Sequence, residues 1–145
     1  MSDLVLVLTL AGRRVALPAA DVYSVVEIDH VTPIPGAPGY VLGLSALRSI
    51  TLTVVDAAAA IGLAAPSMPK SGARAAIVDH EGHRYALVVD EIDDVAERLT
   101  PPAPVPGEAG PGWQRVGEGL VETARGPALL LSLAAVLAGP PARAA

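Results

Sequence analysis

The chain has 145 residues, enough for one compact domain or two small lobes sharing a core. Formal net charge is −5 with Lys plus Arg totalling 10 and no basic run, which argues against nucleic acid as a partner. Cysteine is absent, so disulfides, zinc–thiolate sites and cysteine nucleophiles are excluded together.

The first segment, Leu4 to Leu10, is leucine- and valine-rich with period-two hints. Ala11-Gly12-Arg13 turns, and Arg14 to Leu17 returns, which predicts a β-hairpin. Pro18 opens a short helical turn through Val22, and Val25 to Ile28 is extended. Thr32 to Gly39 carries three prolines and reads as a rigid connector. Tyr40 to Leu47 and Ile50 to Val55 are two strands around Arg48-Ser49. Asp56 caps a short helix over Ala57 to Ile61, and Gly62 stops it. Ala64 to Gly72 is a loop joining the halves.

The second half repeats the plan. Ala75 to Val78 and Arg84 to Val89 flank a turn at His80-Glu81-Gly82-His83, and Glu91 to Val95 reads as a short turn or helix. Pro101 to Gly112 holds five prolines and three glycines, the longest expected loop. Gly119 to Thr123 and Ala128 to Leu131 are strands joined at Arg125-Gly126. Ser132 caps Leu133 to Leu137, and Gly139-Pro140 ends that helix.

The repeat is explicit at an offset of 70: Gly12-Arg13-Arg14-Val15-Ala16-Leu17 matches Gly82-His83-Arg84-Tyr85-Ala86-Leu87. Asp21, Val22 and Val25 then match Glu91, Ile92 and Val95. Short strands punctuated by glycine and proline, with brief helices, predict small β-barrels or a sandwich. A seam between two similar halves is a natural place to hold a partner.

Chemistry-bearing residues are sparse. His80 and His83 beside Asp79 suggest a metal site only weakly, because histidines three apart across a tight turn are expected to diverge. Asp90, Glu91, Asp93 and Asp94 lack calcium-loop spacing and read as a solvated acidic face. No serine lies in a Gly-x-Ser-x-Gly elbow, and no phosphate-cradling glycine loop precedes a helix. The expectation is therefore no metal, no cofactor and no enzyme. Met1-Ser2-Asp3 lacks the positive start of a secretory signal, and no apolar run is long enough to span a membrane. A cytoplasmic protein without direct membrane insertion is expected. Arg48 stands out as a cation within the small, apolar stretch Gly43 to Ser49, a composition common at interaction hot spots.

These residues resemble the signature of CheW-like domains, the adaptors that couple chemoreceptors to the histidine kinase CheA. The matching elements are Val22-Tyr23-Ser24-Val25, Thr32-Pro33-Ile34-Pro35-Gly36-Ala37-Pro38, Val41 through Ser49, Thr53-Val54-Val55-Asp56-Ala57, and Tyr85 through Val95. Ala128 to Leu137 is similar to the family's closing strand and helix. The chain departs at Ser24, where the family has Glu, at Ala46 (Asn), Ser49 (Gly), Thr53 (Pro), Ala57 (Leu) and Ala86 (Gly). Without a carboxylate at Ser24, Arg48 must find water or another acid. Ser49 in place of glycine suggests a differently shaped turn.

The resemblance implies a mainly β fold: two small five-stranded SH3-like β-barrel subdomains with pseudo-twofold symmetry and short helices. It implies one domain over 1–145, with halves 16–66 and 73–125, the terminal segments 1–15 and 126–145 completing the barrels, and a final short helix. It also implies an apolar groove between the subdomains. The expected partners are the regulatory domain of a CheA-type histidine kinase and the cytoplasmic tip of methyl-accepting chemoreceptors, at membrane-associated arrays. The partner-binding set is Val22, Ser24, Gly43, Leu47, Arg48, Ser49, Val88, Val89 and Val95. The alternative is a divergent module that binds a different kinase or regulator, or competes with the array adaptor.

Overall fold

The computed structural model describes residues 3–105 and 110–140. Ten strands form two five-stranded sheets. The strands are β1 (Leu4–Leu10), β2 (Arg13–Pro18), β3 (Val22–Ile28), β4 (Val41–Leu47), β5 (Ile50–Asp56), β6 (Ala73–His80), β7 (His83–Val88), β8 (Glu91–Glu97), β9 (Gly117–Thr123) and β10 (Gly126–Leu131). Three short helices, α1 (Ala57–Ile61), α2 (Pro111–Val116) and α3 (Leu133–Ala138), and a 3-10 turn at Ala19–Asp21 complete the described elements.

The first sheet has the order β3-β6-β7-β5-β4, and the second β8-β1-β2-β10-β9. The two orders superpose strand for strand, so β6-β7 corresponds to β1-β2 and β5-β4 to β10-β9. In each sheet one central pairing is parallel, β5 with β7 and β10 with β2. The offset-70 repeat is thus a repeated hairpin. Its turns, Ala11-Gly12 and Glu81-Gly82, have φ of 50° and 77°, and of 50° and 81°. Positive φ at both central residues is the type I′ geometry that matches strand twist, and glycine supplies it at the second position without strain.

The halves interleave, and this differs from the division expected at 16–66 and 73–125. β2 belongs to the second sheet and β3 to the first, while β7 belongs to the first and β8 to the second. The first sheet therefore draws on 22–88, and the second on 4–18 and 91–131. The strand after each repeated hairpin is delivered to the opposite sheet. Each half of the chain completes the other's sheet.

Both sheets curl until their edges nearly meet. Beyond β3, Thr32 exchanges two 2.8 Å main-chain hydrogen bonds with Leu44 of β4. Beyond β8, Ala103 does the same with Leu120 of β9, at 2.9 and 2.7 Å. The glycine preceding each partner makes this approach possible. A Cβ on Gly43 would overlap the Thr32 carbonyl, and one on Gly119 would lie 2.9 Å from the Ala103 oxygen.

Each sheet wraps its own small core: Ile28, Leu42, Leu52, Val54 and Ile77 in the first, and Val5, Val7, Val121 and Leu130 in the second. A third and larger core lies between the sheets, where Leu8, Leu17, Leu87 and Leu129 meet Ile61 of α1, Trp113 of α2 and Val136 of α3. The Asp56 carboxylate accepts from Ala59 N–H at 3.2 Å, and the Ser132 hydroxyl accepts from Ala135 N–H at 3.3 Å, so both expected N-caps form.

Two elements differ from the sequence reading. Residues 91–97 form a strand, because their backbone pairs with Leu4–Thr9. Its acidic side chains suit an edge strand, where charge discourages further pairing. Residues 111–116 form α2 where a loop was expected over 101–112, of which 106–109 lie outside the described residues. Pro111 occupies the first helical turn, and Trp113 is buried.

Candidate partner-binding surface

The β4–β5 hairpin carries most of the expected site. Its turn, Arg48-Ser49, has φ of 49° and 70°, the same left-handed pair as the two repeated hairpins but with no glycine. Ser49 thus takes the left-handed conformation that glycine takes in the other two hairpins, where the serine had suggested a different turn. Holding two side-chain-bearing residues there costs about 1–3 kcal/mol each. The cross-strand pair Leu47 and Ile50 holds the turn's base by packing against the first sheet's core. Arg48 and Ser49 are exposed at the tip, and no ion pair holds Arg48 among the described residues.

The remaining expected residues scatter. Gly43 is buried under the Thr32 carbonyl, where its role is to close the sheet. Val22 and Ser24 lie half-buried on β3, at a bulge in its pairing with β6. Val88 is half-buried against the first sheet's core. Val89 is inside the central core, which corrects its assignment as a contact residue. Val95 is 48% exposed, but on β8 of the second sheet.

An apolar groove was expected at the seam between the halves. The central core and three helices occupy that seam. An opening lined from both sheets, by Pro18, Asp79, Glu118 and Ser132 among others, holds about 260 Å³ and is largely polar. The larger cleft, about 500 Å³, lies instead within the first sheet, between β3 and β4. Ile28, Leu44, Ala46 and Leu47 give it apolar walls, and Glu27, Asp29 and His30 rim it. Sequence reasoning missed this cleft, since it depends on two edges that are distant in the chain. It also missed Tyr23 and Val25, exposed at 56% and 37% on β3. Their alternation with Val22, Ser24 and Val26 is a readable period-two signal. The Arg84 guanidinium lies 3.8 Å from the Tyr23 ring centroid.

His80 and His83 are cross-strand partners at the end of β6–β7 and do not diverge. No three His, Asp or Glu side chains gather as a metal cluster among the described residues. The acidic run on β8 is partly paired, with Arg125 reaching Asp93 at 3.3 Å and Asp94 at 3.2 Å. No helix among the described residues is long and apolar enough to cross a membrane.

Two intertwined five-stranded units, a cationic hairpin tip in left-handed backbone and an open strand-edge cleft define a mainly β module built from a repeated unit. The model of the CheW-like domain matches residues 4–140, and the chain belongs to that family. It is similar to the scaffolding protein TtCheW from Thermoanaerobacter tengcongensis, at 26% identity and a TM-score of 0.72, over 92% of this chain and 90% of that one. No curated protein gives a significant sequence match. The family supports a scaffolding role in chemotaxis.

Proposed function

We propose that this chain is a non-enzymatic adaptor that couples the cytoplasmic tip of methyl-accepting chemoreceptors to the regulatory domain of a CheA-type histidine kinase. It acts as one domain, in the cytoplasm, and reaches membrane-associated arrays through its partners. Membership of the CheW-like family supports the reading. The observation that carries it furthest is Arg48, exposed and without an ion pair among the described residues, on a hairpin tip held in left-handed backbone. Strain of this kind persists where the surroundings over-determine it, as they do at binding sites. Leu47 and Ser49 lie on the same hairpin and extend the contact region, Val22 and Ser24 lie apart on β3, and Val95 belongs to a second surface.

Arg48→Glu tests this. Folding is expected to remain intact, because an exposed, unpaired charge contributes little to stability. Co-sedimentation with kinase and receptor fragments is expected to weaken, and unchanged binding removes Arg48 from the account. Ser24 favours a second reading. It is half-buried and offers no carboxylate to a partner or to Arg48, which suits a module that binds another kinase or regulator, or competes with the array adaptor. A pull-down from native lysate separates the two: receptors with CheA support the first, and their absence beside a different enriched partner supports the second.

A further inference from the structure

The two sheets close differently, and the difference leaves a free strand edge in one of them. In the second sheet the closure is zipped. Besides the Ala103–Leu120 pair, Leu99 N–H donates to the Glu122 carbonyl at 2.7 Å, and Glu122 N–H donates to the Thr100 hydroxyl at 3.0 Å. Arg98 bridges Thr123, and Arg125 reaches back to Asp93 and Asp94. In the first sheet only Thr32–Leu44 forms among the described residues. Ala46 is the counterpart of Glu122, because Leu44 is the counterpart of Leu120. Leu44 directs its N–H and C=O away from β5 toward Thr32, so Ala46, two residues on, directs its own pair the same way. Those groups face the 500 Å³ cleft. Across it, Ile28 C=O is turned toward β6, where it accepts from Gly72 N–H, so Glu27 presents its main chain to the cleft. Among the described residues neither edge finds a main-chain partner there.

We infer that the Ser45–Leu47 edge of β4 is a strand-addition site for an extended segment of a partner protein. The second sheet indicates the segment's chemistry. Leu99-Thr100 gives Glu122 one N–H and one hydroxyl oxygen, so the incoming segment offers an apolar residue followed by an acceptor. Its apolar side chain meets Ile28, Leu44 and Leu47. A basic residue suits the rim, where Glu27 and Asp29 form no ion pair among the described residues, although Arg74 stands opposite Glu27 in register. Main-chain pairing along the edge supplies affinity, and the cleft selects side chains. The inference rests on the reading of this chain as a module that holds other proteins. It names a contact mode which that reading does not require.

The test uses the whole chain, isotope-labelled for NMR, and a synthetic peptide reproducing residues 98–104. Saturable shifts centred on Ala46 and Glu27, with slowed hydrogen exchange at the Ala46 amide, are expected. Ala46→Pro deletes the outward N–H, and an edge position tolerates proline. It is expected to weaken the peptide at least tenfold, and a peptide with Arg98→Glu is expected to bind several-fold more weakly. No shifts at millimolar peptide, shifts elsewhere, or equal binding to a folded Ala46→Pro variant overturns the inference. An Ala46 amide protected in the free chain and exposed on dilution overturns it too, by placing a second copy on the edge. If strand addition fails while kinase and receptor fragments still co-sediment, the adaptor reading stands alone.

Discussion

Arg115 joins the helices of the two halves through a single side chain. From α2 it donates to the Ala60 carbonyl of α1 at 2.8 Å and to the Ala135 carbonyl of α3 at 2.6 Å. These helices are equivalent in the two halves, one after β5 and one after β10. One guanidinium therefore clamps both against the central core, using the planar fork that lysine lacks. Hydrogen bonds to a charged group contribute about 1.5–3 kcal/mol each. Ala60 is fully buried but Arg115 and Ala135 are only part-buried, so water replaces some of this after truncation. Arg115→Ala is therefore expected to cost about 2–4 kcal/mol, less than the two bonds in full. For a chain of this size that lowers Tm by roughly 6–12 °C. Arg115→Lys, which supplies a point charge, is expected to recover about half. Urea and thermal unfolding followed by Trp113 fluorescence measure it, because Trp113 lies buried in the same core. A loss below about 1 kcal/mol for Arg115→Ala, or full rescue by lysine, would refute the clamp.

Glycine at the sheet closures gives a paired expectation. Gly43→Ala is expected to destabilise by about 2–4 kcal/mol and Gly119→Ala by about 1–3 kcal/mol, from unfavourable backbone angles and lost closure bonds. Denaturant midpoints rank them, and a silent Gly43→Ala would contradict its structural role. Ser49→Gly is expected to stabilise by about 1 kcal/mol, since relief of left-handed strain exceeds the added chain entropy. Leaving Arg48 in place, it is also expected to preserve co-sedimentation with the kinase, and lost stability would show that the turn has other constraints.

Much of the fold is legible because local chemistry repeats. Gly12 and Gly82 mark equivalent turns, and Asp56 and Ser132 mark equivalent helix starts, each readable within a few residues. The sheet membership of β3 and β8 is not readable this way. Both strands follow matching hairpins, and nothing local says that each crosses to the other sheet. The acidic side chains of β8 and the Gly110-Pro111-Gly112 run before Trp113 also obscure a strand and a helix. Their identities come from pairing with Leu4–Thr9 and from packing on Ile61. The hairpin tip at Arg48 could be located from its flanking strands. The exposure of Val95, the burial of Val89 and the cleft beside Ala46 are set by contacts between distant segments.

The two sheets share the features that close them and differ at the β3–β4 edge. Gly43 and Gly119, the Thr32 and Ala103 bridges, and the helix caps recur because each lets backbone groups pair in both units. Among the described residues the zipper of Leu99, Thr100 and Arg125 has no counterpart in the first sheet, and the stability left unrealised there coincides with the cleft and adjoins the strained Arg48-Ser49 tip. A sequence under selection for stability alone has an internal template for sealing that edge. Its persistence beside the hairpin that carries Arg48 is the physical reason to look for partners on the first sheet before the second.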